Sequence, residues 1–470
     1  MNGLLLAENL QPKQSPDLDT KMSVNTKHPD YVKMLPKWEL MRDVLEETVK
    51  EKREKYLPET AGQKAVDIPE IYNAYLARAD FQSFTSDGAR SMVGLVSRLE
   101  ASVELPSKLK DLENNATADG FSLKQLFNRV IENSLGYGRQ GLLVDVDHEG
   151  KPYLAYYDAF SIINWKSTNN NGRKDLTMVV LSEQWLKETN DEFSHDTETV
   201  YRVLDLNEKG QYRVRVFKDA ALSEAAETKE NILNGINYIP FVFIGSTDTS
   251  PEIDPIPLWT MGKCAIKQYQ ISADYYHDLH LTCHPQPWVS GLNPDEKIEY
   301  SGANMIWKIP QGGNCGYLEI SGNGIERNRI AMSDLKSTAL ESGARVIDIG
   351  VESGEARQAR QNDQYATLHS VVSVAVRAIN QALKYICEVV HLTTEKDIFS
   401  VTIDFRAAGV DASILTSLLS AAMANKISMT TYWDYVRTGK MPERTYEEEQ
   451  KLIAEQQDSE GLQLDEPETA

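Results

Sequence analysis

Apolar residues recur three and four apart through the first part of the chain, the spacing of one helix face. Up to about Met34 the sequence is polar and turn-rich, which predicts a flexible arm over residues 1–35. Pro36 then opens a helix with Trp38, Met41, Leu45 and Val49 on one face, and Glu46 to Lys55 forms charged surface. A second helix begins at Asp67, with Pro69 in its first turn and Ile71, Tyr72 and Tyr75 along it. A third spans about Asp87 to Leu99 with Met92, Val96 and Leu99 inward. In a fourth, Leu123 to Ser134, the residues Leu123, Leu126, Phe127, Val130 and Ile131 make one stripe.

After Gly136 the rhythm changes to short apolar runs between turns. Leu142–Asp147 reads as a strand, His148–Lys151 as a hairpin turn and Pro152–Tyr157 as the returning strand. Further strands are expected at Ile162–Trp165, Leu176–Leu181, Val200–Leu206, Tyr212–Phe217 and Phe241–Ile244. Asn169–Gly172 and Asn207–Gly210 supply turns between them. Strands grouped together rather than alternating with helices predict an α+β protein with a mostly antiparallel sheet.

The helical spacing then returns. Pro255-Ile256-Pro257 starts a helix to about Cys283, roughly 40 Å long. A compact segment follows with strand candidates Gln286–Ser290, Met305–Ile309 and Tyr317–Ile320, punctuated by Pro294, Pro310, Gly312, Gly313 and Gly322. Another helix runs from about Ile325 to Ala344, and the short loop Val346–Val351 ends at Ser353-Gly354. The longest helix spans Glu355 to His391, where Tyr365, Leu368, Val372, Ala375, Ile379, Leu383, Ile386 and Val390 form a sustained stripe. A strand at Ser400–Phe405 and helices near Ile414–Met423 and Thr430–Val436 lead to the end.

Composition narrows the classes. A chain of 470 residues, 41% hydrophobic, holds a large core and two or more subdomains. The net charge of −21 argues against tight phosphate binding, because DNA affinity comes largely from Lys and Arg displacing counterions; a protein past which DNA slides is compatible with it. Cys264, Cys283, Cys315 and Cys387 are scattered with no CxxC, which reads as reduced thiols of an intracellular protein. The opening residues have no basic lead and too short an apolar run for a signal peptide, and no stretch approaches ~18 apolar residues, so no membrane span is expected. Ten acidic against two basic residues from Glu443 onward predict a solvated, disordered tail over 441–470.

Three enzyme-like signals were weighed against plain structural ones. Gly136-x-Gly138-x-x-Gly141 fits the dinucleotide fingerprint, which works only after a strand and at a helix start. Here a helix precedes and a strand follows, so the glycines are expected to make a tight turn. His277, His280 and His284 lie three and four apart beside Cys283 and could converge on zinc, yet no HExxH is present. Interfacial histidines at a helix end are the expected alternative. No GxSxG elbow occurs. The competing function is therefore a metal-dependent or nucleotide-binding enzyme built on His277–His284 or Gly136–Gly141, and a non-viral scaffold is a third.

Long helix, small β module, long helix, short apolar loop, very long helix: this order resembles tailed-phage portal proteins. The run Tyr275-Tyr276-His277-Asp278-Leu279-His280-Leu281-Thr282-Cys283-His284-Pro285-Gln286-Pro287 is similar to a stem-to-clip passage, and Leu135-Gly136-Tyr137-Gly138 before Leu142 to the helix-to-hairpin corner of a portal wing. The resemblance covers roughly residues 80–400. It implies a portal fold: a mainly helical wing and crown, an antiparallel wing sheet, a two-helix stem and a small α/β clip. The boundaries it implies are a wing over 36–250, stem helices at 251–283 and 322–345, a clip at 284–321, a tunnel loop at 346–354, and the long wing helix with crown helices at 355–440.

The resemblance also implies a function without catalysis or cofactor: about twelve copies in a ring at one capsid vertex, a conduit for double-stranded DNA in packaging and ejection, docking to terminase, major capsid protein and neck or adaptor proteins. Such a protein is made in the host cytoplasm and resides in the virion. Arg345, Val346, Ile347, Asp348, Ile349, Val351, Glu352, Arg357 and Arg360 would line the tunnel constriction, with the arginines near phosphates. Asp274, Asp278, Glu326, Asp334 and Glu341 would wall the stem channel, and Trp288, Trp307 and Lys308 would belong to a clip interface. The clip carries Trp288, Val289, Ile298, Ile306, Trp307, Ile309 and Leu318, too many apolar groups for a module of that size to bury alone, so the neighbouring subunit is expected to cover them.

Overall fold

The computed structural model describes residues 23–66, 68–170, 173–187, 189, 193–218, 225–230, 232–283, 286–291, 311–318, 322–343, 354–393, 396–403, 412–424, 426–438, 441–442 and 444–461. Residues 1–403 and 404–470 form two compact units.

The first unit starts with helix α1, Pro29–Leu45, which begins seven residues before the expected start at Pro36. His28 caps it by accepting from the Asp30 amide, Pro29 sits in its first turn, and the buried Tyr31 donates to the Phe160 carbonyl at 3.0 Å. Those contacts order what composition alone reads as an arm, and Pro36 lies inside the helix. Short helix α2 (Ala61–Val66) is followed by α3 (Pro69–Arg78) and α4 (Phe84–Ser97). After strand β1 (Glu100–Val103) comes α5, Leu123–Tyr137. Ser122 and Gln125 form a capping box at its start, and its five-residue stripe is buried as the spacing predicts.

Two antiparallel sheets follow. Strands β2 (Arg139–Val146) and β3 (Pro152–Asp158) make a hairpin. Next, β4 (Ile162–Asn170), β5 (Arg173–Leu186), β6 (Thr197–Leu206), β7 (Tyr212–Phe217) and β8 (Glu227–Glu230) form a five-stranded meander in chain order. β9 (Phe241–Gly245) returns to β2, giving the three-stranded order β3-β2-β9. Among the described residues the helix and sheet content matches an α+β protein.

Helix α6 spans Trp259–Thr282, strands β10 (Gln286–Ser290) and β11 (Asn314–Leu318) pair as an antiparallel hairpin, and α7 spans Asn323–Gly343. The expected strand Met305–Ile309 lies outside the described residues. Helix α8, Gly354–Val389, is about 54 Å long; its buried stripe packs on α5, β2 and β9. Strand β12 (Phe399–Thr402) pairs with β1 across some 300 residues of sequence. The buried Asn380 of α8 holds it, accepting from the Ile398 and Phe399 amides and donating to the Phe399 carbonyl.

The second unit contains α9 (Ala412–Met423), α10 (Met429–Thr438) and α11 (Tyr446–Gly461). Helix α11 corrects the expectation of a disordered tail over 441–470. Thr445 and Glu448 make a reciprocal capping box, at 2.9 and 3.3 Å. The acidic first turn Glu447–Glu449 suits the positive end of the helix dipole. Glu449 then accepts from the Ser428 amide and the Thr431 hydroxyl, tying α11 to the start of α10. A raw count of charges missed this because it ignored where the charges sit.

Candidate functional site: a half-covered helical hairpin

Because α6 ends and α7 starts at the base of the β10–β11 hairpin, the two helices run antiparallel and pack along each other. The first part of α6 is buried: Met261, Cys264, Ala265, Ile266, Gln268, Tyr269, Ser272 and Ala273 lie inside, against α1, α3 and α4. Polar bonds fasten it there. Gln270 donates to the Tyr56 carbonyl at 3.0 Å. The Ser272 hydroxyl accepts from the Asp80 amide and donates to the Asp80 carbonyl, both at 2.9 Å. Tyr75 of α3 donates to Asp274 at 2.7 Å. Burial, and next the carboxylate beside it, push the Tyr75 hydroxyl above its ordinary pKa.

Beyond that point the support stops. From Asp274 to Thr338 no described side chain is buried, and only at Ala339 and Leu340 does α7 re-enter the body. Yet the stretch carries Tyr276, Leu281, Trp288, Tyr317 and Ile330, which are 37, 50, 42, 62 and 47% exposed. These five apolar groups lie on both helices and both strands.

The residues expected to wall a channel all lie here. Asp274, Asp278, Glu326, Asp334 and Glu341 are exposed. Asp274 is engaged by Tyr75, and Glu326 pairs with Arg329 at 2.5 and 2.9 Å; that hydrogen bonding lowers the Glu326 pKa and raises the Arg329 pKa. Arg327, Arg329 and Lys336 are equally exposed and were passed over in reading the sequence, so α7 balances its three carboxylates with three cations. Trp288 is placed on β10, over Gly316 of the partner strand. Trp307, Lys308, Arg345 and the loop residues Val346, Ile347, Asp348, Ile349, Val351 and Glu352 lie outside the described residues. Arg357 and Arg360 fall in the first turns of α8, and their side chains also lie outside what is described.

The competing chemical signals find structural roles. His277 packs edge-on against Tyr75 with ring centres 5.5 Å apart, and its Nδ1 is buried without a hydrogen-bond partner. His280 is exposed and His284 lies outside the described residues; among the described residues no three His, Cys, Asp or Glu side chains cluster to hold a metal. In the glycine run, Gly138 is the left-handed cap of α5 at φ 63°, and a Cβ there would stand 2.7 Å from the Pro255 carbonyl. Gly141 leaves space for the Phe241 ring. A helix enters this turn and a strand leaves it, the reverse of a pyrophosphate cradle.

Sequence reasoning also missed Arg139, fully buried at the start of β2. Its guanidinium stands 4.4 Å from the Trp165 ring and 4.1 Å from Phe243, and it donates to the Pro251 and Glu252 carbonyls. Burial pulls its pKa down to about 9. It fixes the connector that runs from β9 into α6, and so helps to set where the hairpin is rooted.

Comparisons with known proteins meet this same region. A family model described as a domain of unknown function, DUF4055, matches residues 257–390, from the root of α6 to the end of α8. No curated protein matches the chain. Among solved structures, a chain in the virion of a native gene transfer agent (GTA) particle is similar at 12% identity and TM-score 0.38, covering 78% of this chain and 88% of that one. A chain in the neck of the native GTA particle, computed with C12 symmetry, is similar at 11% identity and TM-score 0.37, with 80% and 92% covered. One in the neck of the empty particle, computed with C6 symmetry, gives 11% and 0.36 with the same coverage. Among the described residues no helix is long and apolar enough to cross a membrane.

Proposed function

We propose that this chain is a portal-type protein of a tailed-phage-like particle. It acts as a ring-forming conduit for double-stranded DNA and not as an enzyme. The observation that carries the reading is the half-covered hairpin: a rooted inner half and an outer half with apolar groups on every element and no described side chain buried. Two helices and two strands cannot enclose a core of their own at that size. Covering both sides of a projecting hairpin takes two neighbours. One neighbour on each side is the heterologous arrangement that closes a ring, whereas a two-fold dimer covers one side only.

In this reading α6 and α7 are the stem, the β10–β11 module is the clip, residues 346–354 are the tunnel loop, and α8 is the long wing helix. Residues 36–250 form the wing, and α9 and α10 belong to the crown. Exposed carboxylates, mixed with cations on α7, face DNA that passes without being held. The chain's net charge of −21 favours sliding over capture. Arg345, Arg357 and Arg360 flank the constriction, where each weak phosphate contact is repeated around the ring. The clip edge meets terminase during packaging and neck proteins afterwards, and the particle's location is the virion.

Negative-stain electron microscopy of the purified full chain tests this. The expected image is a closed ring with a central pore, well over half a megadalton for about twelve chains of 52.9 kDa. A monomer or dimer at native salt and high protein concentration rejects it.

A further inference from the structure

Two surfaces far apart in sequence each carry what the other lacks. One is the free end of the β5–β6 hairpin. β5 pairs with β4 only as far as the Ile162–Leu181 register, while its pairing with β6 continues to Leu186 and Thr197. A two-stranded arm therefore runs on past the sheet. At its end Leu186 is 68% and Phe193 78% exposed. Residues 187–198 hold five carboxylates (Glu188, Asp191, Glu192, Asp196 and Glu198) against Lys187 alone.

The other surface is a groove of about 530 Å³ beside the loop between α1 and α2, lined by Lys52, Arg53, Pro69, Tyr72 and Asn73, with Glu54 and Glu59 at the same site. Arg53 sits at φ 38°, a left-handed conformation that costs a non-glycine residue roughly 1–2 kcal/mol. Its guanidinium lies over the Tyr72 ring at 5.7 Å and donates to Asn73 at 2.5 Å, so the fork is held in place before anything binds. The loop concentrates Lys50, Lys52, Arg53 and Lys55 against Glu51 and Glu54, in a chain that is acidic elsewhere. Lys55 is engaged by the buried Asp43 at 2.6 Å. Ile68 and Ile71, next in sequence to Pro69 and Tyr72, are 45 and 41% exposed.

We infer that the β5–β6 end of one copy docks in the Arg53 groove of the next. Leu186 and Phe193 of the arm meet Ile68, Ile71 and Tyr72, and the arm's carboxylates meet the Lys50–Lys55 run. The inference rests on the self-assembly proposed above and adds a second, wing-level contact to the one at the hairpin. Acidic-apolar against basic-apolar makes the two faces unlike. Unlike faces repeat around a ring, while two copies of either face repel or leave charges unmatched.

The test replaces Leu186 with p-benzoylphenylalanine in the full chain, mixes ¹⁵N-labelled and unlabelled copies, irradiates, and maps the crosslinked peptides while native mass spectrometry reports particle size. The expected result is mixed-isotope crosslinks ending within residues 50–73, reduced several-fold by Arg53→Glu and recovered when Asp196→Lys is added. A ring-sized particle whose crosslinks fall elsewhere, or only within one copy, overturns this docking and leaves the ring standing. A monomeric chain overturns both.

Discussion

The two halves of the α6–α7 hairpin have similar helical backbones and opposite surroundings. In the root, Tyr269 is 1% exposed and Gln270, Ser272 and Asp274 each bond to another element. A few residues on, Tyr276 and Leu281 of the same helix stand in solvent. Helical propensity cannot distinguish these halves; what differs is which face has a partner inside the chain. The root is therefore a folding element and the outer half an assembly element, and substitutions should separate the two.

The largest effect is expected in the root. Tyr269→Ala removes a fully buried ring and should lower the unfolding free energy by about 3–5 kcal/mol, measured by urea denaturation of the dissociated chain. An outer-half substitution should leave that value nearly unchanged. Trp288→Ala should instead weaken assembly by about 2–4 kcal/mol per interface, read as the ring fraction in gel filtration, with the far-UV melting curve of the chain in place. If Trp288→Ala assembles normally while the whole chain loses stability, the β10–β11 module belongs to an intramolecular core and the division fails. Tyr75→Phe acts at the boundary. Losing the bond to Asp274 should cost about 1–2 kcal/mol and loosen α6 from residue 274 outward, seen as faster amide exchange there and not in residues 261–269.

A smaller effect concerns acid. Asp43 is buried, which by itself would raise its pKa, but hydrogen bonds from Lys55 and Tyr56, with the charges of Lys55 and Lys52, hold it below the ordinary 3.8. A carboxyl depressed by folding contributes stability that is present above 3.8 and lost as pH falls through the lower folded value. Asp43→Asn should therefore make the melting temperature less sensitive to pH below about 4, with no change in the oligomer at neutral pH. An unchanged acid slope would show that this pair is not what braces the 46–57 loop against α1.

Much of this division was legible in the sequence as pattern. The α5 stripe with its capping box and glycine stop, the α8 stripe, and the order α6, β module, α7, α8 all follow from local spacing and turn chemistry. What stayed hidden depends on contacts between distant segments. Asp274 reads as a free carboxylate until Tyr75, 199 residues away, is placed against it. Arg139 reads as an ordinary strand cation, since nothing local says that Trp165 and Phe243 will close over it. The β1–β12 pair joins two four-residue segments too short to register as strands alone. The start of α1 and the existence of α11 were legible in principle, through Pro29 and through Thr445 with Glu448. They were missed because polar composition was weighed above capping.

The central claim is that the outer half of the hairpin is covered only by neighbouring copies. Hydrogen–deuterium exchange of the same protein, assembled and then diluted below its association threshold, reads this directly. The prediction is that amides of residues 275–282 and 324–338 are protected in the assembly and exchange much faster in the dissociated chain, while residues 261–273 exchange alike in both. Equal exchange of the outer half in the two states would contradict it.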